Sequence, residues 1–379
     1  MIRIILFLLC VVMGSVSCTG NTPPKTSPSI KNQTNTNGGL IYFASKQHRD
    51  DLAIQNPYIV GALYTIYWSE LEKSKGEYDW SELDEFFKKW SAGGKKVAIR
   101  VIWISTGLWP HEVARHPSPD WLWKEGAKYY YDEKTQTEIP LFWDPIYNKH
   151  ALRLMQAIYD RYGKDPNLLF VSATPGYETF PCHPKTGSVS TNFFEDFSKV
   201  RDSQGRAYSP ELWKSTVKNW ISSISAMYSD VLTFVSLNRG GLFPEEDYFQ
   251  LFGEYSVECH VMVGQNGIKA SSYQNQNGGR YKLFRQWKQQ VPVFQEMALA
   301  SGNIERQVGS LMGVMEAAVR IDADYLNVYA VDVLKGTKGY KDYDPSYEQA
   351  LKFGYEKLQL KKFWICVDID KKNCYNRRD

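Results

Sequence analysis

Eight short apolar runs, each followed by a stretch of helical periodicity, predict a (β/α)8 barrel, a TIM barrel with enlarged loops after its third and fourth strands. Two further observations point the same way. Several runs are apolar almost throughout, as parallel strands covered on both faces must be. The longest connections also follow strands rather than helices, which puts them at the carboxyl end of a barrel. A doubly wound open sheet is the alternative that the same alternation allows. The strands are expected at 40–44, 58–64, 96–102, 168–173, 231–237, 257–263, 292–295 and 325–330. Helices are expected at 80–90, 147–162, 210–228 and 280–290. In the first of these, Leu83, Phe86, Phe87 and Trp90 fall on one helical face, with Asp79 and Ser81 available as caps. No internal repeat or second linker interrupts residues 40–360, so this span reads as one domain, with 361–379 as a carboxyl-terminal extension.

Ahead of the first strand, Arg3 precedes an apolar run from Ile4 to Met13 and the small residues Gly14 to Ser17. That is the pattern of a secretory signal over 1–17, and its apolar run is too short to span a bilayer. A cut before Cys18 places that cysteine where bacterial lipoproteins carry their lipid, a resemblance loosened by Ser15, where the lipoprotein pattern prefers Leu. Ser15-Val16-Ser17 equally suits ordinary signal peptidase. Residues 18–39 contain almost nothing that can pack and read as a flexible tether. The expectation is an exported protein: an outer-membrane lipoprotein facing periplasm or cell surface, otherwise periplasmic or secreted. Four cysteines follow Cys18. Of these Cys366 and Cys374 flank a short polar segment and form the candidate disulfide, with free thiols as the alternative.

Composition narrows the function. The 379 residues carry 45 Lys and Arg against 42 Asp and Glu, a net charge of +3 that gives no electrostatic reason to bind nucleic acid. Aromatic residues make up 15% of the chain, with 12 Trp, 25 Tyr and 18 Phe, and flat faces with polar edges suit sugar rings as well as cores. The connection from 103 to 144 holds Trp103, Trp109, Trp121, Trp123, Tyr129, Tyr130, Tyr131 and Trp143; the next, from 174 to 208, is nearly as long. Such loops either pack a core of their own or stack carbohydrate.

Two carboxylates stand at strand ends. Glu178 follows the fourth strand in Thr174-Pro-Gly-Tyr-Glu-Thr, and Glu296 lies at the tip of the seventh in Val291-Pro-Val-Phe-Gln-Glu-Met. A barrel brings both to one mouth, and two carboxyl groups across a cleft are the minimum for glycoside hydrolysis. Arg100 on the third strand can hold Glu296 or belong to a charge cluster in the barrel wall. Asn238, Gln265, Asn266, Asn327 and Tyr329 supply polar groups at the same mouth, and Trp103, Trp143 and Tyr177 are candidates for stacking against substrate.

Longer stretches carry a family resemblance. Val60-Gly-Ala-Leu-Tyr-Thr-Ile-Tyr-Trp-Ser-Glu-Leu-Glu, continuing to Lys75-Gly-Glu-Tyr-Asp-Trp, resembles the opening of clan A barrel glycoside hydrolases. Lys95-Lys-Val-Ala-Ile-Arg100 is similar to their third strand, and Leu141-Phe-Trp-Asp-Pro-Ile-Tyr to the segment before their fourth unit. The closest flavour is the family 42 β-galactosidase-like group. The resemblance implies that Glu178 is the general acid/base and Glu296 the nucleophile, with no cofactor. The sequence departs at Tyr177, where that clan usually places Asn. Gly176-Tyr-Glu-Thr-Phe-Pro and Gln295-Glu-Met also resemble surroundings in inverting β-amylases. Retention is the favoured reading; carboxyls ~5–5.5 Å apart retain, whereas ~6.5–9.5 Å leaves room for water and inversion. Tyr177 and Phe180 would raise the Glu178 pKa by disfavouring its charged form.

Other chemistries fit less well. His111 and His116 are five apart and cannot share a metal as an i, i+4 pair does. Cys182-His183 are adjacent and point apart, there is no phosphate-binding glycine loop, and Trp220 and Tyr228 read as core. The expected partner is an oligosaccharide or polysaccharide, with membrane contact only through the lipid. The competing function is a surface lipoprotein that binds glycan without cleaving it. A sugar lyase or isomerase would need a Lys, His or metal base at a strand end.

Overall fold

The computed structural model describes residues 38–45, 49–103, 116–173 and 190–359. The signal and lipid calls at 1–18, the cysteines Cys182, Cys366 and Cys374, Trp109 and His111, and the site candidates Tyr177 and Glu178 lie outside these residues.

The chain runs β1 (Gly39–Ala44), β2 (Ile59–Tyr67), α1 (Trp68–Leu71), α2 (Ser81–Ala92) and β3 (Lys96–Ile102). The connection after β3 carries α3 (Trp121–Lys124) and a small antiparallel hairpin, β4 (Tyr129–Asp132) and β5 (Thr137–Pro140). There follow α4 (Pro145–Tyr162), β6 (Leu168–Ser172), α5 (Phe193–Lys199), α6 (Pro210–Met227) and β7 (Leu232–Ser236). Next come α7 (Phe249–Glu258), β8 (Met262–Ile268), α8 (Gly279–Trp287) and β9 (Val293–Met297). Last are α9 (Leu311–Arg320), β10 (Tyr325–Val328), α10 (Ala330–Lys335) and α11 (Pro345–Gln359).

Eight strands close a barrel in the order β1-β2-β3-β6-β7-β8-β9-β10, every neighbouring pair parallel. The predicted fold is therefore the one observed, and the register explains it. Along each strand one set of side chains turns inward, where Phe170, Phe234, Phe294 and Tyr325 contact one another through tilted and edge-on rings. The alternate set faces the helices and joins a larger core, as when α2 buries Leu83, Phe86, Phe87 and Trp90.

Helix starts follow the chemistry of their caps. Asp144 accepts from the amides of Ile146 (2.8 Å) and Tyr147 (3.2 Å) just ahead of Pro145, and Ser209 accepts from Leu212 (3.1 Å) just ahead of Pro210. At α2 the Asp79 carboxylate takes both the amide and the hydroxyl of Ser81. The family-like opening is also structural. Glu72, wholly buried, accepts from Trp68 Nε1 (2.7 Å) and the Gly76 amide (2.6 Å) and pairs with Arg153. It thereby staples the turn between β2 and α2.

One strand is misplaced by sequence. The sixth, expected at 257–263, begins at Met262, because Val257 belongs to the last turn of α7. His260, with φ at 57°, turns the chain between them. An apolar run that spans a helix end and a strand start has no period of its own to divide it. No described helix is long and apolar enough to cross a membrane.

Candidate active site

The inward layers change character along the barrel. Below lie the aromatic rings; one step towards the carboxyl ends, the same alternation brings Arg100 of β3, Ser172 of β6, Ser236 of β7, Asn266 of β8, Glu296 of β9 and Asn327 of β10. Register puts Asn266 and Asn327 on either side of Glu296. Glu296 is 3% exposed, and its Oε2 receives Arg100 Nη1 at 2.8 Å and Asn327 Nδ2 at 2.8 Å. The guanidinium lies over the Phe234 ring, 5.2 Å from its centroid, so the aromatic floor supports the cation from below. With the Arg100 guanidinium and the Asn327 amide both donating to one oxygen, the plane of the carboxylate is fixed. Such a group can act as a nucleophile or as a general base.

Around it, Tyr329 follows β10 half-buried, its ring 5.8 Å from that of Phe43. Burial and then the Glu296 charge push its phenol above the ordinary tyrosine value, so it is a neutral hydroxyl beside the carboxylate. The Ser236 Oγ and the Asn327 Oδ1 are buried and find no hydrogen-bond partner among the described residues.

Other sequence candidates are placed differently. Gln265 pairs in register with Gln295, on the side of Val263 and Val293, which pack among the helices. The single-residue parity of a strand turns Asn266, not Gln265, into the barrel. Gln295 is tied on that outer side by the Tyr273 hydroxyl at 3.0 Å. Trp103 is 1% exposed and sits edge-on to Trp68 (5.4 Å) and Trp220 (5.2 Å); Trp143 is 2% exposed between Phe197 and Tyr208. Both rings are core, because neighbouring aromatic residues already cover the faces a sugar would need. Asn238 folds its carboxamide back onto the Gly240 amide at 2.7 Å, forming a turn after β7. Ser236 and Asn266 are the inward residues that a strict count of alternation along β7 and β8 selects. No group of three or more His, Cys, Asp or Glu side chains among the described residues is placed to hold a metal.

Residues 58–237 match the model of glycoside hydrolase family 42, described as beta-galactosidase. That span runs from β2 to β7 and so includes Arg100 but not Glu296. No curated protein matches the chain. Among solved structures, the catalytic domain of a beta-amylase from Paenibacillus polymyxa is similar over 86% of this chain and 98% of its own, at 11% identity and TM-score 0.56. Beta-galactosidases from Rahnella sp. R3 (10% identity, TM-score 0.51) and the haloarchaeon Halorubrum lacusprofundi (13%, 0.52) are similar over 87% and 84% of this chain. The chain spans 57% and 58% of those two proteins. At these identities the likeness is one of fold. The family match over residues 58–237 and the closed eight-stranded barrel support a clan A glycoside-hydrolase barrel like those of family 42.

Proposed function

We propose that the protein is a glycosidase that cleaves an oligosaccharide or polysaccharide with two carboxyl groups, with retention of anomeric configuration. The observation that carries this reading is the buried Glu296, oriented by Arg100 and Asn327 above the aromatic floor of the barrel mouth. In the first step Glu178 gives its proton to the leaving oxygen as Glu296 attacks the anomeric carbon. In the second, Glu178 takes a proton from water, which releases the sugar from Glu296. Arg100 balances the carboxylate's charge and Asn327 donates to it before attack and after release, so its charge never faces an apolar wall alone. On this reading Tyr329 and Ser236, both at the inward polar layer, would meet sugar hydroxyls. On the same reading the leader and Cys18 put the enzyme outside the cytoplasm on a lipid, which radiolabelled palmitate incorporation, abolished by Cys18→Ala, would test.

The test of function is hydrolysis of a panel of aryl glycosides and polysaccharides by wild type, Glu178→Gln and Glu296→Gln, with product anomers followed by NMR. Each single variant is expected to lose about a hundredfold or more in kcat, and the first-formed anomer to keep the substrate's configuration. An inverted first product makes Glu296 the general base instead. A wild type that binds a glycan, cleaves none, and is matched in binding by both variants makes this a glycan-binding protein.

A further inference from the structure

The aromatic residues of the connection after β3 divide into two populations. Trp103, Trp121 and Trp143 are buried, and Tyr130 turns inward to meet Phe193 (5.4 Å) and Phe197 (5.9 Å). The opposite face of the same hairpin carries Tyr129 and Tyr131, 36% and 46% exposed and among the few large hydrophobic side chains on the described surface. Trp123, half-buried, meets Tyr129 at 4.7 Å, with its Nε1 donating to Glu138 at 2.7 Å. Glu138 stands across the ladder from Tyr131 and has His116 at 3.5 Å.

The platform is rigid. The hairpin's inner face is packed, and at its end Asp132, fully buried, accepts the Ser190 amide (3.0 Å) and hydroxyl (2.5 Å). Those bonds tie the hairpin to the chain that follows β6, the connection that contains Glu178. Both connections leave the carboxyl end of the barrel, where Glu296 lies. A strand whose only task was to close a loop would place polar residues at its outward positions. Here those positions are tyrosines, about 6.6 Å apart by strand geometry, beside an indole whose plane is set by its bond to Glu138. Flat apolar faces ringed by phenol hydroxyls and a carboxylate acceptor match a sugar's carbon–hydrogen face and its hydroxyl edge. The Glu138 carboxylate beside the rings disfavours a uronate or sulfate at this face, which points to an uncharged glycan.

We propose that Trp123, Tyr129 and Tyr131 form a second, non-catalytic binding surface for a neutral polysaccharide strand, outside the barrel mouth. Its role in holding a polymer for cleavage rests on the glycosidase reading; its binding does not. The test is affinity electrophoresis of the full chain in native gels cast with soluble galactan, xyloglucan or, as the anionic control, polygalacturonate. Glu296→Gln serves as background, so that nothing is hydrolysed during the run. Retardation is expected in at least one neutral gel and not in polygalacturonate. Adding Tyr129→Ala and Tyr131→Ala should weaken it about tenfold in apparent Kd, as loss of two ring contacts implies. In the otherwise wild-type chain the same pair should leave kcat/KM for a small aryl glycoside unchanged and raise KM for the retained polymer.

No retardation in any neutral gel, or equal retardation with and without the two tyrosines, overturns the surface. So does a matching loss on the aryl glycoside, which would make the tyrosines part of the fold or of the first site. A chain that cleaves nothing yet is retarded through Tyr129 and Tyr131 overturns the glycosidase reading and leaves the surface standing.

Discussion

Removing Arg100 tests whether the barrel mouth is built round a desolvated charge. Arg100 Nη1 and Glu296 Oε2 are 2.8 Å apart, with side chains 2% and 4% exposed. At an effective dielectric of about 20, that separation gives a gross attraction of about 6 kcal/mol, most of which offsets the desolvation of the two ions. Arg100→Met keeps much of the volume over Phe234 but removes the guanidinium that lies 2.8 Å from the carboxylate. Stability should fall by about 3–5 kcal/mol, the usual cost of stranding one member of a buried pair. Glu296→Gln strands the guanidinium instead and should cost a similar amount. The double variant strands neither ion, so it should be more stable than the sum of the singles predicts by at least about 2 kcal/mol. Urea unfolding at pH 7, followed by tryptophan fluorescence, reads all four proteins. Single-variant costs that add to within about 0.5 kcal/mol would refute the reasoning, because such ions would be solvated and Glu296 would not need Arg100.

Three further outcomes follow from the geometry elsewhere. Glu72→Gln, which removes the charge bound by Arg153, Trp68 and the Gly76 amide, should cost about 3 kcal/mol in urea unfolding while leaving kcat unchanged, since its partner Trp68 packs in the core outside the barrel's inward layers. Burial pushes the Asp332 carboxyl up to about 6 despite the Ser301 amide and hydroxyl that it accepts, so the folded state holds this proton more tightly than the unfolded chain. Its contribution to stability is therefore full below about pH 4 and lost as pH rises towards 6, by up to about 3 kcal/mol; the Tm of wild type relative to that of Asp332→Asn should fall across that window and stay level above it. Gly253→Ala would place a methyl 2.3 Å from the buried Trp287 ring and should lower the urea midpoint by the equivalent of about 1–3 kcal/mol, whereas a neutral result would show that α7 can slide from α8.

Where strands begin was legible because a barrel strand is apolar on both faces and its ends are not. Observed starts at Gly39, Lys96, Leu168 and Tyr325 fall within a residue of expectation. The sixth strand was not legible, since Val257, Val261 and Val263 read as one run although α7 owns the first. Which side chains face the mouth depends on parity, and an error of one residue exchanges Gln265 for Asn266. The tryptophans were the least legible. Trp103, Trp143 and Trp123 are chemically alike in the sequence, and only three-dimensional neighbours decide that two are walled in and one is half open. The β4–β5 hairpin left a weak trace: three tyrosines and Thr137-Glu-Ile-Pro lie on either side of a polar turn, where Gln136 takes φ at 53°.

The cost of the polar layer bears on the choice between catalysis and mere binding. A buried Arg–Glu pair is seldom more stable than apolar residues of the same volume, and the layer beneath it shows that this barrel accommodates phenylalanine at inward positions. A surface that only holds sugar meets hydroxyls with half-exposed, hydrogen-bonding side chains, as on the hairpin with Tyr129, Tyr131 and Glu138. It gains nothing from a carboxylate 3% exposed and held by two donors on one oxygen. On the proposed glycosidase reading, attack on the anomeric carbon needs a carboxylate whose orientation is fixed before substrate arrives. On the two proposals above, the two sets of residues suit different tasks, the mouth for breaking a bond and the hairpin for retaining the chain that contains it.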